Sequence, residues 1–331
     1  MKEPIILGAG LSGCLAAHVM TGAEIWESRP LARMIESPEH RAVLRFRSDQ
    51  ISKLTGIPFE KVQVRKSIWY EGQEFRLPDI RLTNMYSRKV TDTYHDRSIV
   101  NLETVTRWLA PGDFHAQLLD SLRGRIRFEH LVRSITSTSM NAVVGSGYET
   151  LYDRSEVPII STAPLPVLAK IVGLPSPVSP QSGKRIVVHR FRLPGADVNL
   201  SMYYPSPRLP VYRASIMKDL LTVECIAAHD SYKYWVADDW MNEVYHSLGI
   251  TPGDAVPVDT GEQLGKISYD LNETVRKNWI LDLTVRFNIY SLGRFAVWKN
   301  VLQDDVYQDA LRIKGFIHSG SHYDAFKFAR A

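Results

Sequence analysis

Cysteine is the scarcest chemistry in this chain: its 331 residues carry only Cys14 and Cys225. One pair cannot build a disulfide framework or a Cys-x-x-Cys centre, so a reducing, cytoplasmic setting is the expectation. No apolar run approaches the roughly 18 residues of a membrane-spanning helix, so no membrane partner is expected. Internal repeats and low-complexity tracts are lacking, which excludes repeat architectures. Charge of one sign is also scarce, with 40 Lys and Arg against 36 Asp and Glu, a formal +4. That excess suits a small anionic substrate; it admits DNA without implying it. His318 and His322 have a metal-like spacing but no acid or cysteine cluster beside them, so no metal is expected. Gly145-Ser146-Gly147 lacks the Gly-x-Ser-x-Gly spacing of a hydrolase elbow and reads as a hairpin turn.

What the sequence does have is a glycine turn in the right place. Ile5-Ile6-Leu7 reads as a short buried strand, Gly8-Ala9-Gly10-Leu11-Ser12-Gly13 follows, and small apolar residues continue to Met20 as a helix. A second strand, Ala23 to Glu27, closes the unit on an acid nineteen residues after Gly8. In this pattern Gly8 makes the turn, Gly10 admits a pyrophosphate and Gly13 lets helix and strand pack. The helix start, at Leu11 and Ser12, offers free N–H groups to phosphate. Glu27 is placed to accept hydrogen bonds from an adenosine ribose, and would repel a 2′-phosphate. The motif is consistent with either NAD or FAD.

Further along, Asn101 to Leu122 has helical character with a break at Pro111-Gly112. Arg123 to Ile135 alternates as a strand with a charged face, and Val157 to Pro166 is a buried strand ending in a proline turn. Alternating strands fill 185–193, 198–204 and 219–228. Tyr234 to Gly249 is amphipathic and helical, and Ser291 to Ala310 leads from strand or loop into a helix. No linker stands out, so the two domains are expected to interleave.

Four stretches together resemble the FAD-binding oxidoreductases of the glutathione-reductase-like class, in the group of amine oxidases and UDP-galactopyranose mutase. They are the opening turn, Arg127 to Ile135, Ile159 to Pro166 and Ser291 to Ala310. The resemblance implies a Rossmann-like α/β FAD-binding domain over 1–40, 97–168 and 285–331. An interleaved α+β substrate domain on an antiparallel sheet would take 41–96 and 169–284. It implies FAD contacts from Ser28 and Arg29 beside Glu27, from Val132 and Ala163, and from Gly293, Arg294, Asp305 and Val306. The sequence departs from the group in having no second glycine run after Glu27, where Arg29 or Arg33 is the substitute.

The resemblance brings His40, Arg45 and Arg47 over the flavin, so His40, Arg47 and Arg294 are the catalytic candidates. Arg45, Tyr204, Tyr212, Arg213 and Trp298 are the substrate candidates, and Arg190 and Arg192 share a strand face. Arginine with tyrosine suits an anionic ligand. The expected function is oxidation or C–N cleavage of an amine or amino-acid-derived group. A narrower form acts on amino-acid-modified thymidine in phage DNA, in the host cytoplasm. The alternative is a mutase-like isomerase of sugar nucleotides that uses reduced flavin. The sequence leaves oligomeric state open.

Overall fold

Three consecutive aliphatic side chains, Ile5, Ile6 and Leu7, have no polar alternate, so the strand they form must be covered on both faces. In the computed structural model that strand, β1 (Ile5–Leu7), lies inside a parallel sheet. Residues 2–36, 43–94, 99–145, 147–153, 157–179, 182–227, 240–267 and 272–320 are described.

The chain forms two compact units, and it passes between them four times. Unit 1 comprises Met1–Phe59, Ala110–Pro180 and Leu271–Ala331; unit 2 comprises Glu60–Leu109 and Gln181–Asp270. The sequence reading put these crossings near 40, 97, 168 and 285. Unit 1 begins with β1, α1 (Leu11–Val19), β2 (Glu24–Trp26), α2 (Leu31–Glu36), β3 (Arg45–Phe46) and α3 (Gln50–Thr55). In unit 2 follow β4 (Glu60–Tyr70), β5 (Gln73–Phe75), α4 (Ile80–Thr91) and β6 (Val105–Leu109). Back in unit 1 come α5 (Phe114–Ser121), β7 (Ile126–Arg127), β8 (His130–Ile135), β9 (Ser139–Val144), β10 (Tyr148–Asp153), β11 (Ile159–Ser161) and α6 (Leu165–Ile171). Unit 2 resumes with β12 (Gly183–Arg192), β13 (Val198–Tyr203), β14 (Val211–Lys218), β15 (Leu220–Ile226), α7 (Trp240–Leu248) and β16 (Val256–Ile267). Unit 1 closes with α8 (Glu273–Phe287), β17 (Ile289–Ser291) and α9 (Gln303–Ser319).

The first sheet of unit 1 has the order β17-β11-β1-β2-β7, every pair parallel. Strand order reverses at β1, and ligands of such sheets bind in the crevice outside the carboxyl ends at that reversal. β8, β9 and β10 form a separate antiparallel sheet. Leu7, Trp26, Val132, Met140, Ile159, Leu168, Leu283 and Ile289 share one apolar core across both. The sheet of unit 2 runs β16-β12-β15-β14-β13-β4-β6, antiparallel except where β13 meets β4. Lys89 fastens α4 to it, donating to the carbonyls of Tyr204 (2.9 Å), Ser206 (2.7 Å) and Val211 (2.6 Å).

Two readings of the sequence are corrected. The stretch Arg123 to Ile135 is not one strand: it breaks at Glu129, whose φ is +58°, so β7 joins the parallel sheet and β8 the antiparallel one. The break leaves Arg125 turned inward, where its guanidinium donates to the carbonyls of Ala17, Met20 and Ala23 and closes the C-terminal end of α1. Only Arg125 leaves the expected solvent face; Arg123, Arg127 and Arg133 are exposed, Arg127 in a surface pair with Glu24 at 2.7 Å. Asn101 to Leu122 is helical only from Phe114. Val105, Thr106 and Trp108 favour a pleated surface and form β6 instead.

Candidate functional site: a glycine turn facing Glu27

The three glycines of the opening turn are there for different reasons. Gly8 has φ +98°, the left-handed region that favours glycine, and its N–H donates to the Trp26 carbonyl at 2.8 Å. A Cβ on Gly8 would meet Thr162 Oγ1 at 2.5 Å, an atom that Thr162 uses to donate to the Leu7 carbonyl. A Cβ on Gly13, in the first turn of α1, would lie 1.9 Å from the Gly8 carbonyl oxygen. Gly10 differs. Its φ of −67° and ψ of 176° suit any residue, and no described atom lies within 4 Å of an added Cβ. The protein's own packing requires Gly8 and Gly13; it makes no such demand at Gly10, where the backbone is left open.

Glu27 stands opposite. Its side chain is buried at the end of β2, 4% exposed, yet every carboxylate contact given is a donor. Oε2 accepts from the Ala9 N–H at 2.9 Å. Oε1 accepts from the Arg29 N–H at 2.9 Å, Arg29 Nε at 3.1 Å and Ser28 Oγ at 3.3 Å. A cavity of about 300 Å³ opens beside this carboxylate and the turn, lined by both. Gly8, Gly10, Glu27, Ser28, Arg29, Val132 and Ala163, all expected from the sequence, line it. Leu7, Trp26, Val167 and Ile171 give it apolar walls, and Leu11 and Ser12 follow Gly10 into α1. Arg29, and not Arg33 on α2, is the arginine brought to the cavity. The first N–H groups of α1 have no acceptor within the helix, so the turn presents donors and a positive dipole end beside an acceptor carboxylate.

His115 holds this turn from behind, a role that carries no signal in the sequence. It is buried on α5, and its Nε2 lies 2.9 Å from the Ala9 carbonyl oxygen, which also accepts from Cys14 Sγ at 3.3 Å. Both polar groups of the Ala9 backbone are thereby held by side chains, the N–H by Glu27 and the carbonyl by His115 and Cys14. Burial pushes the Cys14 thiol up, so it acts here as a donor and not as a nucleophile.

The closing segment reaches the same turn. Gly293 has φ +92°, and a Cβ there would meet Ser12 Oγ at 2.4 Å, so this glycine lets the loop after β17 approach α1. Arg294 donates to the Val301 carbonyl at 3.3 Å. Asp305 accepts from the Leu302 N–H at 2.9 Å in the first turn of α9, and Val306 is buried behind it. Arg47 joins this group: its N–H donates to Asp304 Oδ1 at 2.9 Å and its guanidinium to Asp305 Oδ1 at 2.7 Å. Thus Arg47, Arg294 and Asp305 gather around one loop of unit 1. Arg45 is half-buried on β3. His40 lies outside the described residues.

The substrate candidates fare differently. Tyr204 and Tyr212 are fully buried within unit 2, a correction to the expectation that they offer aromatic surface. Tyr204 bonds Ser247 Oγ at 2.6 Å, and Tyr212 donates to Glu224 Oε1 at 2.7 Å. Arg213 is paired with the same Glu224. Lys266 lies over the Tyr212 ring, 4.7 Å from its centroid. Arg190 and Arg192 are taken by Asp259 and Asp219, each at 2.6 Å. Trp298 is buried in the closing loop with φ +48°, an uncommon conformation for a bulky residue. No group of acids, histidines and cysteines suited to a metal occurs among the described residues.

No protein-family profile matches the chain, and no curated protein matches it by sequence. Solved structures do match by shape. A CLA-producing fatty acid isomerase from P. acnes is 11% identical, covering 93% of this chain and 97% of its own, with a TM-score of 0.58. A cofactor-binding redesign of putrescine oxidase, also 11% identical, covers 97% and 99% with a TM-score of 0.58. The flavin-dependent brominase Bmp2 is 12% identical and covers 99% and 82%, again at 0.58. At such identities the likeness is one of fold: this chain is built on the fold that these three enzymes share.

Proposed function

We propose that the chain is a flavin-dependent enzyme, holding FAD with its adenosine end at Glu27 and its diphosphate on the first turn of α1. Gly10 carries the reading, because it leaves open backbone beside the free N–H groups of Leu11 and Ser12, as a diphosphate needs. Glu27 supplies the acceptor for the ribose hydroxyls and excludes a 2′-phosphate. Gly293 and Arg294 bring the closing loop to the same turn. The shared fold with a flavin-dependent brominase supports FAD over NAD. Bound FAD supplies hydride or electron transfer that no side chain offers.

For the substrate we propose an amine or amino-acid-derived group, oxidised or cleaved at its C–N bond. The fold likeness to putrescine oxidase supports this, as does the want of an evident acid–base pair among the candidate residues, since a neutral amine needs no strong base. Amino-acid-modified thymidine in DNA is the narrower form. The mutase reading, favoured by the closing Gly-Arg motif and the Arg/Tyr content, stays as the second one, although Tyr204, Tyr212 and Arg213 are committed within unit 2. Incubation of purified protein with an amine panel tests the choice. Release of hydrogen peroxide, aldehyde or ammonia is expected. Turnover of UDP-galactopyranose by the dithionite-reduced protein alone would instead establish the mutase.

A further inference from the structure

Glu27 ties together two parts of its crevice. The carboxylate accepts from the Ala9 N–H of the glycine turn, and the backbone carbonyl accepts from the His130 N–H at 2.9 Å, at the start of β8. Side chains alternate along a strand, so His130 shares a face of β8 with Val132, which is buried in the apolar core with Trp26. On that face the half-buried His130 ring meets the Trp26 ring edge-on, with centroids 5.4 Å apart, and both residues line the cavity. Val132, Val167 and Ile171 line it as well, an apolar setting that suits a flat base.

The His130 ring is held in one tautomer. Its Nδ1 lies 2.8 Å from the Phe128 carbonyl oxygen, which can only accept, so Nδ1 carries the proton. In the neutral ring Nε2 is then an acceptor. Nε2 has no partner among the described residues, and it is not sealed from solvent. Other polar side chains of the lining turn back to the protein: Ser28 and Arg29 donate to Glu27, and Thr162 donates to the Leu7 carbonyl.

We propose that His130 sets the base specificity of this crevice, its Nε2 accepting from the 6-amino group of adenine. This deepens the FAD reading and rests on it. Adenine carries a donor at that position, whereas guanine and hypoxanthine carry a carbonyl, a second acceptor facing Nε2. Two acceptors left without a donor cost roughly tenfold or more in affinity.

ADP and IDP, which differ in the base alone, are titrated by calorimetry into the full chain freed of flavin. The parent should bind ADP roughly tenfold or more tighter than IDP. His130→Phe keeps a ring against Trp26 but removes the acceptor, so ADP should weaken and the preference fall to within about twofold. His130→Gln, whose amide offers an oxygen or a nitrogen, should keep ADP within about threefold of the parent and bind IDP about as well. If the Phe variant loses the parent's thermal transition, the Gln variant decides. A parent that binds ADP and IDP alike, or a preference for ADP that survives both substitutions, overturns the assignment while leaving the cofactor reading intact. A parent that binds neither nucleotide nor FAD overturns the cofactor reading, and this assignment with it.

Discussion

Single atoms separate folding from binding in the glycine turn. Gly10→Ala adds a methyl into open space at an ordinary backbone conformation. Thermal unfolding should therefore stay within about 2 °C of the parent, while FAD affinity falls roughly tenfold or more, as read by flavin fluorescence. Gly13→Ala places its methyl 1.9 Å from the Gly8 carbonyl, so it should destabilise the chain by about 2 kcal/mol or more. Equal melting temperatures for the two variants would refute the distinction. His115 is a positioning residue under the same logic. His115→Ala removes the nitrogen that holds the Ala9 carbonyl, and FAD affinity should drop several-fold, with His115→Gln recovering part of it. A purely structural role would lower stability in both variants and leave affinity alone.

Whole elements depend on charges that the sequence shows as ordinary surface residues. Arg125 closes the end of α1 through three carbonyls, so Arg125→Ala should cost about 2–3 kcal/mol in urea unfolding, against about 0.5 for Arg133→Ala on the exposed strand face. In unit 2, burial opposes ionisation of Glu224, but Arg213, Lys266 and the Tyr212 hydroxyl outweigh it and hold the carboxyl down at about 2, from an ordinary 4.5. A depressed acid stabilises the fold above its unfolded value and loses that contribution as pH falls toward the folded one. Stability should therefore decline between pH 4.5 and about 2 by up to about 3 kcal/mol from this group. Glu224→Gln should flatten that part of the profile; an unchanged slope would contradict the assignment. These elements also mark where the sequence was legible. The run Ile5 to Leu7, the turn and the acid at Glu27 were readable because period, spacing and glycine chemistry are local. Glu129 and Arg125, which split an apparent strand, were not, because what settles them is a helix end about a hundred residues away. Tyr212 and Arg213 read as ligand-binding chemistry for the same reason: buried and exposed side chains have the same letters.

For the molecule as a whole, the parallel sheet of unit 1, reversing at β1, places the crevice before any ligand is considered. The shared fold spans an isomerase, an oxidase and a brominase, so architecture alone leaves the reaction open and the site residues must decide it. In the proposed reading, Glu27, Gly10 and the start of α1 recognise an adenosine and a diphosphate. The most direct test is the visible spectrum of the purified chain together with mass spectrometry of the cofactor released on denaturation. A yellow protein absorbing at about 450 nm is expected, with FAD recovered near one per chain. A colourless protein that binds NAD and not FAD would contradict it.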